Sequence, residues 1–249
     1  MTQKFAYLTI DDAPSHHMRQ KIDFLLGKQI PAIFFCEGKK MEERPEPVIY
    51  AIQNGFIIGN HSYHHPAFSN LSPEESLAEI QQTDAIIELI YQQAGAARPA
   101  KYFRFPYGDK GGQVGNHPIA DYHAEGLRRK NAIQQQLRDL GYRQPDFPNI
   151  TYRYYREAGL LTDVDWYWTF DTFDWSVFSD TPMYGITSLD AVYARIAEDK
   201  PEEGRGLHYP YSEEIVLIHD HENSTDIFWP IVNRLVESGL QFKLPDELV

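Results

Sequence analysis

Short apolar runs alternate along the chain with longer stretches whose apolar residues repeat at helical spacing. Seven runs have the length and apolar content of buried strands, namely residues 5–10, 32–36, 56–60, 102–105, 165–171, 214–219 and 241–244. One helical stretch opens with Ser72, Pro73 and Glu75, the signature of a capping box. Strands that alternate with helices favour a parallel sheet with crossover helices. The pattern therefore predicts an α/β fold, an irregular barrel of seven strand–helix units.

The regular pattern weakens between residues 108 and 162. Residues 108–125 are rich in glycine and predict a long loop, and two helices are predicted after it, at 127–140 and near 152–158. We interpret 108–162 as an enlarged insertion within a single domain that spans residues 1–249. Inserted loops at a barrel mouth tend to shape specificity. Lys110, Arg128 and Arg129 are candidates for contact with an anionic substrate, although a solvated loop is the simpler interpretation.

Polar residues gather where the predicted strands end. Asp11 and Asp12 follow the first predicted strand, and His61 and His65 follow the third. The ends of the fourth, fifth and sixth carry, in order, Arg104, then Asp171 and Asp174, then His219. A parallel barrel brings the carboxyl ends of its strands together at one mouth, where active sites are found. We therefore expect these side chains to meet although they are far apart in sequence.

The adjacent carboxylates of Asp11 and Asp12 point to a metal. Two carboxylates so close together disfavour joint ionisation, and a cation relieves this if one aspartate binds it and the other remains a base. Asp12, His61 and His65 form a set of one carboxylate and two imidazoles, which suits a catalytic zinc site with an open position. His64 leaves a second assignment open. The same ligand types also form the facial triad of non-haem iron oxygenases, so the donor set alone allows iron.

Five segments resemble, in order, the motifs of the NodB-homology polysaccharide deacetylases, a carbohydrate esterase family. The segments are residues 9–15, 61–66, 104–108, 171–175 and 217–219. They are similar to the family motifs Thr-Phe-Asp-Asp-Gly-Pro-Ser, His-Thr-x-x-His (read here with three residues between the histidines), Arg-x-Pro-Tyr, Asp-x-x-Asp-Trp and Leu-x-His. Ala13 stands where the family has glycine, which reduces backbone freedom in that turn.

The resemblance implies a distorted (β/α)7 barrel and a metal site. Asp12, His61 and His65 would bind the metal, which we expect to be Zn²⁺, with Co²⁺, Ni²⁺ or Fe²⁺ as alternatives. Asp11 would be the catalytic base, and Arg104 would orient it and keep it ionised.

The resemblance also implies roles for residues beyond the metal. His219 would be the general acid, paired with Asp174. Trp175 and Leu217 would flank the acetyl methyl group, and the backbone N–H of Tyr107 would help to hold the oxyanion.

Two further residues are candidates without a fixed role. Asp171 is either a cap at the end of a strand or a support of the site. His221 follows His219 by two positions; it is a candidate to support the site or contact the substrate, and the alternative is a surface residue with no role in the site.

The acidic composition narrows the range of partners. The chain has 23 basic and 36 acidic residues, a formal net charge of −13, which argues against a nucleic-acid backbone or an anionic membrane as partner. The single cysteine, Cys36, lies in an apolar run and is predicted to be buried. No leader segment is visible, so we expect a cytoplasmic protein that acts on a soluble substrate.

These observations predict a metal-dependent amide hydrolase that removes N-acetyl groups from an amino sugar or an oligo- or polysaccharide. Two alternatives stay open. One is a hydrolase of a non-sugar C–N bond in a small amide, imide or ureide. The other is an inactive carbohydrate-binding relative.

Overall fold

A computed structural model describes residues 4–112, 122–201 and 206–246. Its strands are β1 (Lys4–Ala13), β2 (Ala32–Cys36), β3 (Ile57–Asn60), β4 (Phe170–Asp171), β5 (Glu214–His219) and β6 (Leu240–Phe242). Its helices are α1 (Met18–Gly27), α2 (Gly38–Glu43), α3 (Glu46–Gln53), α4 (Pro73–Gln93), α5 (Ala124–Asp139), α6 (Arg153–Glu157), α7 (Leu189–Ile196) and α8 (Thr225–Glu237).

The described strands form one parallel sheet in the order β3-β2-β1-β5-β4, with β6 paired to the start of β1. β1 is central and pairs with β2 on one side and β5 on the other. Asp11 is the register partner of His219. Because all these strands are parallel, their carboxyl ends lie at the same edge, as the pattern of polar residues predicted.

The predicted fourth strand, residues 102–105, is extended but is not part of the strand ladder. Phe103 forms an isolated parallel bridge with Asn60 at the end of β3, and its carbonyl accepts a hydrogen bond of 2.8 Å from the N–H of Trp166. The predicted fifth strand is regular only at Phe170–Asp171. These bonds link β3 to the segment before β4 and close the sheet into a distorted barrel, so the predicted α/β barrel class is confirmed.

Alternate residues of the central strand face two different cores. Leu8 and Ile10 pack against the helices, in a cluster that also holds Phe34 and Ile218. Tyr7 points to the barrel interior. Because side chains alternate along a strand, Thr9 and Asp11 continue the line that Tyr7 begins. β1 therefore carries one buried polar column that ends at the mouth.

The insertion is fixed to the barrel by buried ion pairs. Lys110 Nζ lies 2.6 Å from Asp163 and 3.0 Å from Asp165, and Lys130 Nζ lies 2.7 Å from Asp163. Lys110 is fully buried, so for this residue both the candidate contact with an anionic substrate and the simpler interpretation of a solvated loop are wrong. A buried ammonium needs paired carboxylates to offset the loss of hydration, and the two aspartates supply them.

The other predictions for the insertion have mixed outcomes. The helix predicted at 127–140 is α5, and the short helix predicted near 152–158 is α6. Arg128 pairs with Glu125 at the surface, and Arg129 donates to the carbonyl of Phe68, so neither side chain lines the mouth. Residues 113–121 of the predicted loop lie outside the described residues.

Cys36 is buried, as predicted. No helix within the described ranges is both long and apolar enough to cross a membrane.

Candidate active site

A cavity of about 760 Å³ opens at the carboxyl ends of the strands. Ten of the twelve predicted site residues line it: Asp11, Asp12, His61, His65, Tyr107, Asp171, Trp175, Leu217, His219 and His221. The other two, Arg104 and Asp174, are buried behind Asp11 and His219 and hydrogen-bond to them. The fold thus brings all twelve to one place.

Asp12, His61 and His65 point their donor atoms at a common centre. Asp12 Oδ1 lies 3.0 Å from His65 Nε2 and 3.3 Å from His61 Nε2. His61 Nδ1 donates to the backbone carbonyl of Arg104 at 2.8 Å. Since a carbonyl only accepts, Nδ1 carries the proton, and the Nε2 of a neutral His61 presents its lone pair to Asp12.

This centre suits a cation. Asp12 Oδ1 is buried and has no hydrogen-bond partner among the described residues. Burial alone would raise the pKa of Asp12, but the hydrogen bond from His221 to Oδ2 and the neighbouring imidazoles of His61 and His65 lower the pKa well below its ordinary value. An ionised carboxylate oxygen beside two imidazole nitrogens, each within 4.8 Å of the others, matches the donor types that zinc prefers.

The structure distinguishes His65 from His64. His64 is largely exposed, and its Nδ1 pairs with Glu79 at 2.7 Å. His65 instead turns its Nε2 toward Asp12. Of the two assignments that the sequence left open, the geometry brings only His65 to the centre.

Asp11 is held by Arg104 and leaves one oxygen free for chemistry. Arg104 Nη1 donates to Asp11 Oδ1 at 2.8 Å and to Thr9 Oγ1 at 2.7 Å, and its Nε donates to the carbonyl of Trp166 at 3.1 Å. Arg104 is fully buried, so the pair is shielded from water and ions. Asp11 Oδ2 lies 3.6 Å from His61 Nε2, beside the candidate metal centre.

His219, the register partner of Asp11 on the neighbouring strand, forms a buried pair with Asp174. His219 Nδ1 lies 2.8 Å from Asp174 Oδ1, and the backbone N–H of His219 donates to Asp174 Oδ2 at 3.1 Å. Burial disfavours the imidazolium, but the charge of Asp174 outweighs it and raises the pKa of His219 to about 10. His219 can therefore hold a proton at neutral pH and present it to the cavity.

Asp171 is a buried carboxylate whose surroundings favour the ionised form less than those of Asp174 do. Its Oδ1 accepts the backbone N–H of Phe173 at 2.8 Å, which is the capping contact that the sequence suggested. Burial raises the pKa of Asp171 to about 6, although the nearby charge of His219 opposes the shift. Asp171 also lines the cavity, so capping and support of the site are compatible.

The predicted substrate contacts line the cavity and differ in exposure. Leu217 is almost fully buried, and Trp175 is partly buried and packs against the helical core. Tyr107 is 64% exposed, and its ring lies edge-on to His65 with centroids 4.6 Å apart. The cavity wall thus combines apolar surface with an exposed aromatic rim.

Backbone strain is concentrated at the cavity. Within the described residues, seven non-glycine residues have positive φ, and five of them line the cavity: Asp12, His65, Tyr107, Phe173 and Tyr184. Such conformations cost of order 1–3 kcal/mol each and persist where the surroundings enforce them, commonly at functional sites.

The sequence reasoning missed three charged residues at the cavity, Glu37, Lys40 and Asp109; Asp109 accepts bonds from the N–H of Ser69 at 2.9 Å and from the N–H of Gly111 at 2.9 Å. Lys40 Nζ lies 2.6 Å from Glu37 and donates to the backbone carbonyl of Asp12 at 2.8 Å. Glu37 directly follows β2, so the rule that identified Asp11 and His219 could have found it. Lys40 lies on the following helix, where no strand-end signal exists.

Comparison with known proteins places the chain in a family. The family model described as polysaccharide deacetylase matches residues 1–144, more than half of the chain. The peptidoglycan-N-acetylmuramic acid deacetylase PdaC of Bacillus subtilis is 37% identical over 43% of this chain and 22% of its own length. Chitin deacetylase 1 of Cryptococcus neoformans is 27% identical over 88% of this chain and 38% of its own length. The chain thus spans well under half the length of either relative.

Solved structures share the fold. A CE4 family pseudoenzyme from Bacillus anthracis superposes with a TM-score of 0.61 at 20% identity, covering 97% of this chain and 63% of the other. Identity this low establishes the architecture but not the activity. Together with the family model, the motifs and the geometry of the cavity, it shows that the chain belongs to the polysaccharide deacetylase family.

Proposed function

We propose that the protein is a metal-dependent hydrolase that removes acetyl groups from an N-acetylated amino sugar, free or in an oligo- or polysaccharide. The observation that carries the proposal is the buried, unpartnered Asp12 Oδ1 beside the Nε2 atoms of His61 and His65. This set leaves an open side toward the cavity, which a catalytic metal needs. Zn²⁺ suits these donors best, and Co²⁺, Ni²⁺ and Fe²⁺ accept the same ligand types.

Amide hydrolysis needs an activated water and a protonated leaving group. A divalent cation held by Asp12, His61 and His65 would lower the pKa of water and polarise the carbonyl. Asp11 would take the proton of the attacking water through Oδ2, while Arg104 keeps its other oxygen occupied.

The departing amine is too basic to leave as an anion, so it needs an acid. His219 is the acid in this proposal, because Asp174 holds its Nδ1 side and leaves the rest of the ring on the cavity. Asp11 and His219 are register partners on neighbouring strands, so base and acid can address one scissile bond. The two roles follow from opposite environments: a cationic partner for the aspartate and an anionic partner for the histidine.

The cavity supports a sugar-sized substrate. Its volume, about 760 Å³, lies within the range typical of small-molecule sites. In this proposal Leu217 and Trp175 flank the acetyl methyl, and the backbone N–H of Tyr107 helps to hold the oxyanion. Relatives named as deacetylases of chitin and peptidoglycan favour N-acetylated sugars over other small amides.

The presence of a pseudoenzyme among the structural neighbours makes an inactive relative a real rival. Retention of both the Arg104–Asp11 pair and the Asp174–His219 pair argues against it, because a binding module needs neither base nor acid. An iron oxygenase would likewise not need these two pairs.

The test is release of acetate from N-acetylglucosamine and its oligomers after chelation and reloading with Zn²⁺, Co²⁺ or Ni²⁺. We expect turnover that disappears with the chelator and returns with the metal. Small non-sugar amides form the comparison panel. Full metal loading without turnover on any substrate would support the inactive alternative, and turnover only on non-sugar amides would overturn the sugar assignment.

A further inference from the structure

His221 contacts the metal-binding carboxylate from the side away from the other two histidines. Its Nε2 lies 2.5 Å from Asp12 Oδ2, whereas His61 and His65 approach Asp12 Oδ1. An ionised carboxylate only accepts, so His221 Nε2 is the donor of this bond. The two oxygens of Asp12 therefore have different tasks.

The position of His221 does not suit a fourth ligand. The donor atoms that lie within 4.8 Å of one another are those of Asp12, His61 and His65, and His221 is not in that group. Its proton also points at Asp12, so its lone pair on the other nitrogen faces elsewhere.

The loop that carries His221 is anchored by a buried charge pair. The carboxylate of Asp220 accepts bonds of 2.7 Å from the backbone N–H and the hydroxyl of Ser15 and lies 2.6 Å from Lys21 Nζ. Lys21 also donates to the carbonyl of His221 at 3.2 Å. Lys21 and Asp220 are both fully buried, so they join the segment after β5 to the segment after β1. The ring of His221 is thereby held at a fixed distance from Asp12.

We propose that His221 is a positioning residue that sets the metal affinity of the site by fixing the carboxylate of Asp12. With one lone pair of Oδ2 engaged by the N–H of His221, rotation of the carboxylate is restrained and Oδ1 is the oxygen presented to a cation. Groups that orient metal ligands in this way contribute to affinity as well as to geometry. The inference rests on the proposed metal site and adds a residue to it.

The test measures metal binding and not turnover. The dissociation constants of Zn²⁺ and Co²⁺ are measured by competition with a chromophoric chelator, and the visible spectrum of the Co²⁺ protein reports coordination. His221→Ala and His221→Leu both remove the donor, and Leu keeps more of the side-chain volume. Both are expected to weaken metal binding by about 10–100-fold and to alter the Co²⁺ spectrum. His221→Gln keeps an N–H at similar reach and is expected to restore most of the affinity.

His16 provides a matched control. Its Nδ1 also pairs with a carboxylate, Glu222, at 2.8 Å in the same region, but that carboxylate lies outside the candidate metal group. His16→Ala should bind both metals like the wild type.

Two outcomes separate the inference from the proposed function. Wild-type affinity and spectrum in both His221→Ala and His221→Leu, with metal binding lost in Asp12→Ala, would overturn the role of His221 alone. Metal binding that survives Asp12→Ala would overturn the metal site itself. Circular dichroism of the metal-free variants checks that each one is folded. If His221→Ala does not fold, the comparison of His221→Leu with His221→Gln tests the role of His221.

Discussion

Asp11 and His219 lie side by side as register partners on β1 and β5, and each is paired with a buried residue of opposite charge. Arg104 pairs with Asp11, and Asp174 pairs with His219. The arrangement gives the aspartate a cationic partner and the histidine an anionic one. It depends on strand register, because a shift of one residue would turn either side chain to the opposite face.

Substitution of the two adjacent aspartates should separate metal binding from turnover. Asp11→Asn keeps the size and the hydrogen-bonding oxygen but removes the base, so we expect metal affinity near wild type and a loss of about 10²–10⁴-fold in kcat. Asp12→Ala should lose the metal, since it deletes one of three ligands. Metal content and acetate release of both variants check this. Wild-type turnover in Asp11→Asn would show that another group is the base.

The effect of removing His219, the proposed acid, should depend on the leaving group of the substrate. His219→Ala is expected to reduce hydrolysis of an N-acetyl amide by about 10²–10⁴-fold, because the amine must leave protonated. Hydrolysis of an activated acetyl ester should fall much less, since its leaving group needs no proton. The measurement is kcat/KM for both substrates. Equal losses would contradict an acid role and point to a role of His219 in binding the acetyl group.

The Asp174–His219 pair should set the alkaline limb of the pH profile. Asp174 raises the pKa of His219 to about 10 against the effect of burial, so the acid stays protonated through neutral pH and is lost as the pH rises. A bound cation repels the imidazolium and brings the limb to a lower pH.

Asp174→Asn removes the largest effect that opposes burial and leaves only the charges of Asp12 and Asp171 against it, so we expect the alkaline limb of kcat/KM to move down by about one pH unit or more. The control is Glu222→Gln, which removes a carboxylate that pairs with His16 away from the cavity. An unchanged limb in Asp174→Asn would show that this limb does not belong to His219.

The sequence was sufficient to predict the class of fold and the meeting of the twelve candidate residues at one mouth, because both depend on the order and direction of the strands. Every residue that follows a strand in a parallel barrel reaches the same mouth, so Asp12 and His61 could be paired across 48 intervening residues. Contacts that depend on the course of a loop could not be predicted. Lys110 was a candidate for a substrate contact or a solvated loop, but Asp163 and Asp165 hold it in a buried ion pair.

His221 illustrates the same limit. Its neighbours in sequence, Asp220 and Glu222, gave no indication of which group it contacts. The bond to Asp12 arises because the buried pair of Lys21 and Asp220 fixes the path of the loop after β5. The apolar pattern also could not show that residues 102–105 lie outside the strand ladder. A strand paired along its length and an extended segment with a single bridge have the same apolar pattern.

Asp171 should destabilise the metal-free protein when it is ionised. Burial raises the pKa of Asp171 to about 6, above the ordinary aspartate value, so the folded state holds this proton more tightly than the unfolded chain does. The contribution of this proton to the free energy of unfolding is therefore fully present at low pH and is lost as the pH rises through about 6. Asp171→Asn removes the charge and keeps an oxygen that can accept the N–H of Phe173.

We therefore expect Asp171→Asn to raise the free energy of unfolding by about 1–3 kcal/mol at about pH 8, and this gain should shrink toward zero near pH 4. Urea denaturation with a chelator present at both pH values measures it. Asp174→Asn is the contrasting variant: the pKa of Asp174 is lowered because, against the effect of burial, it pairs with His219, so its removal should destabilise the protein at about pH 8. A loss of stability in Asp171→Asn at that pH would mean that the ionised carboxylate of Asp171 is itself a favourable partner of His219, and would assign Asp171 to the acid pair rather than to the strand end.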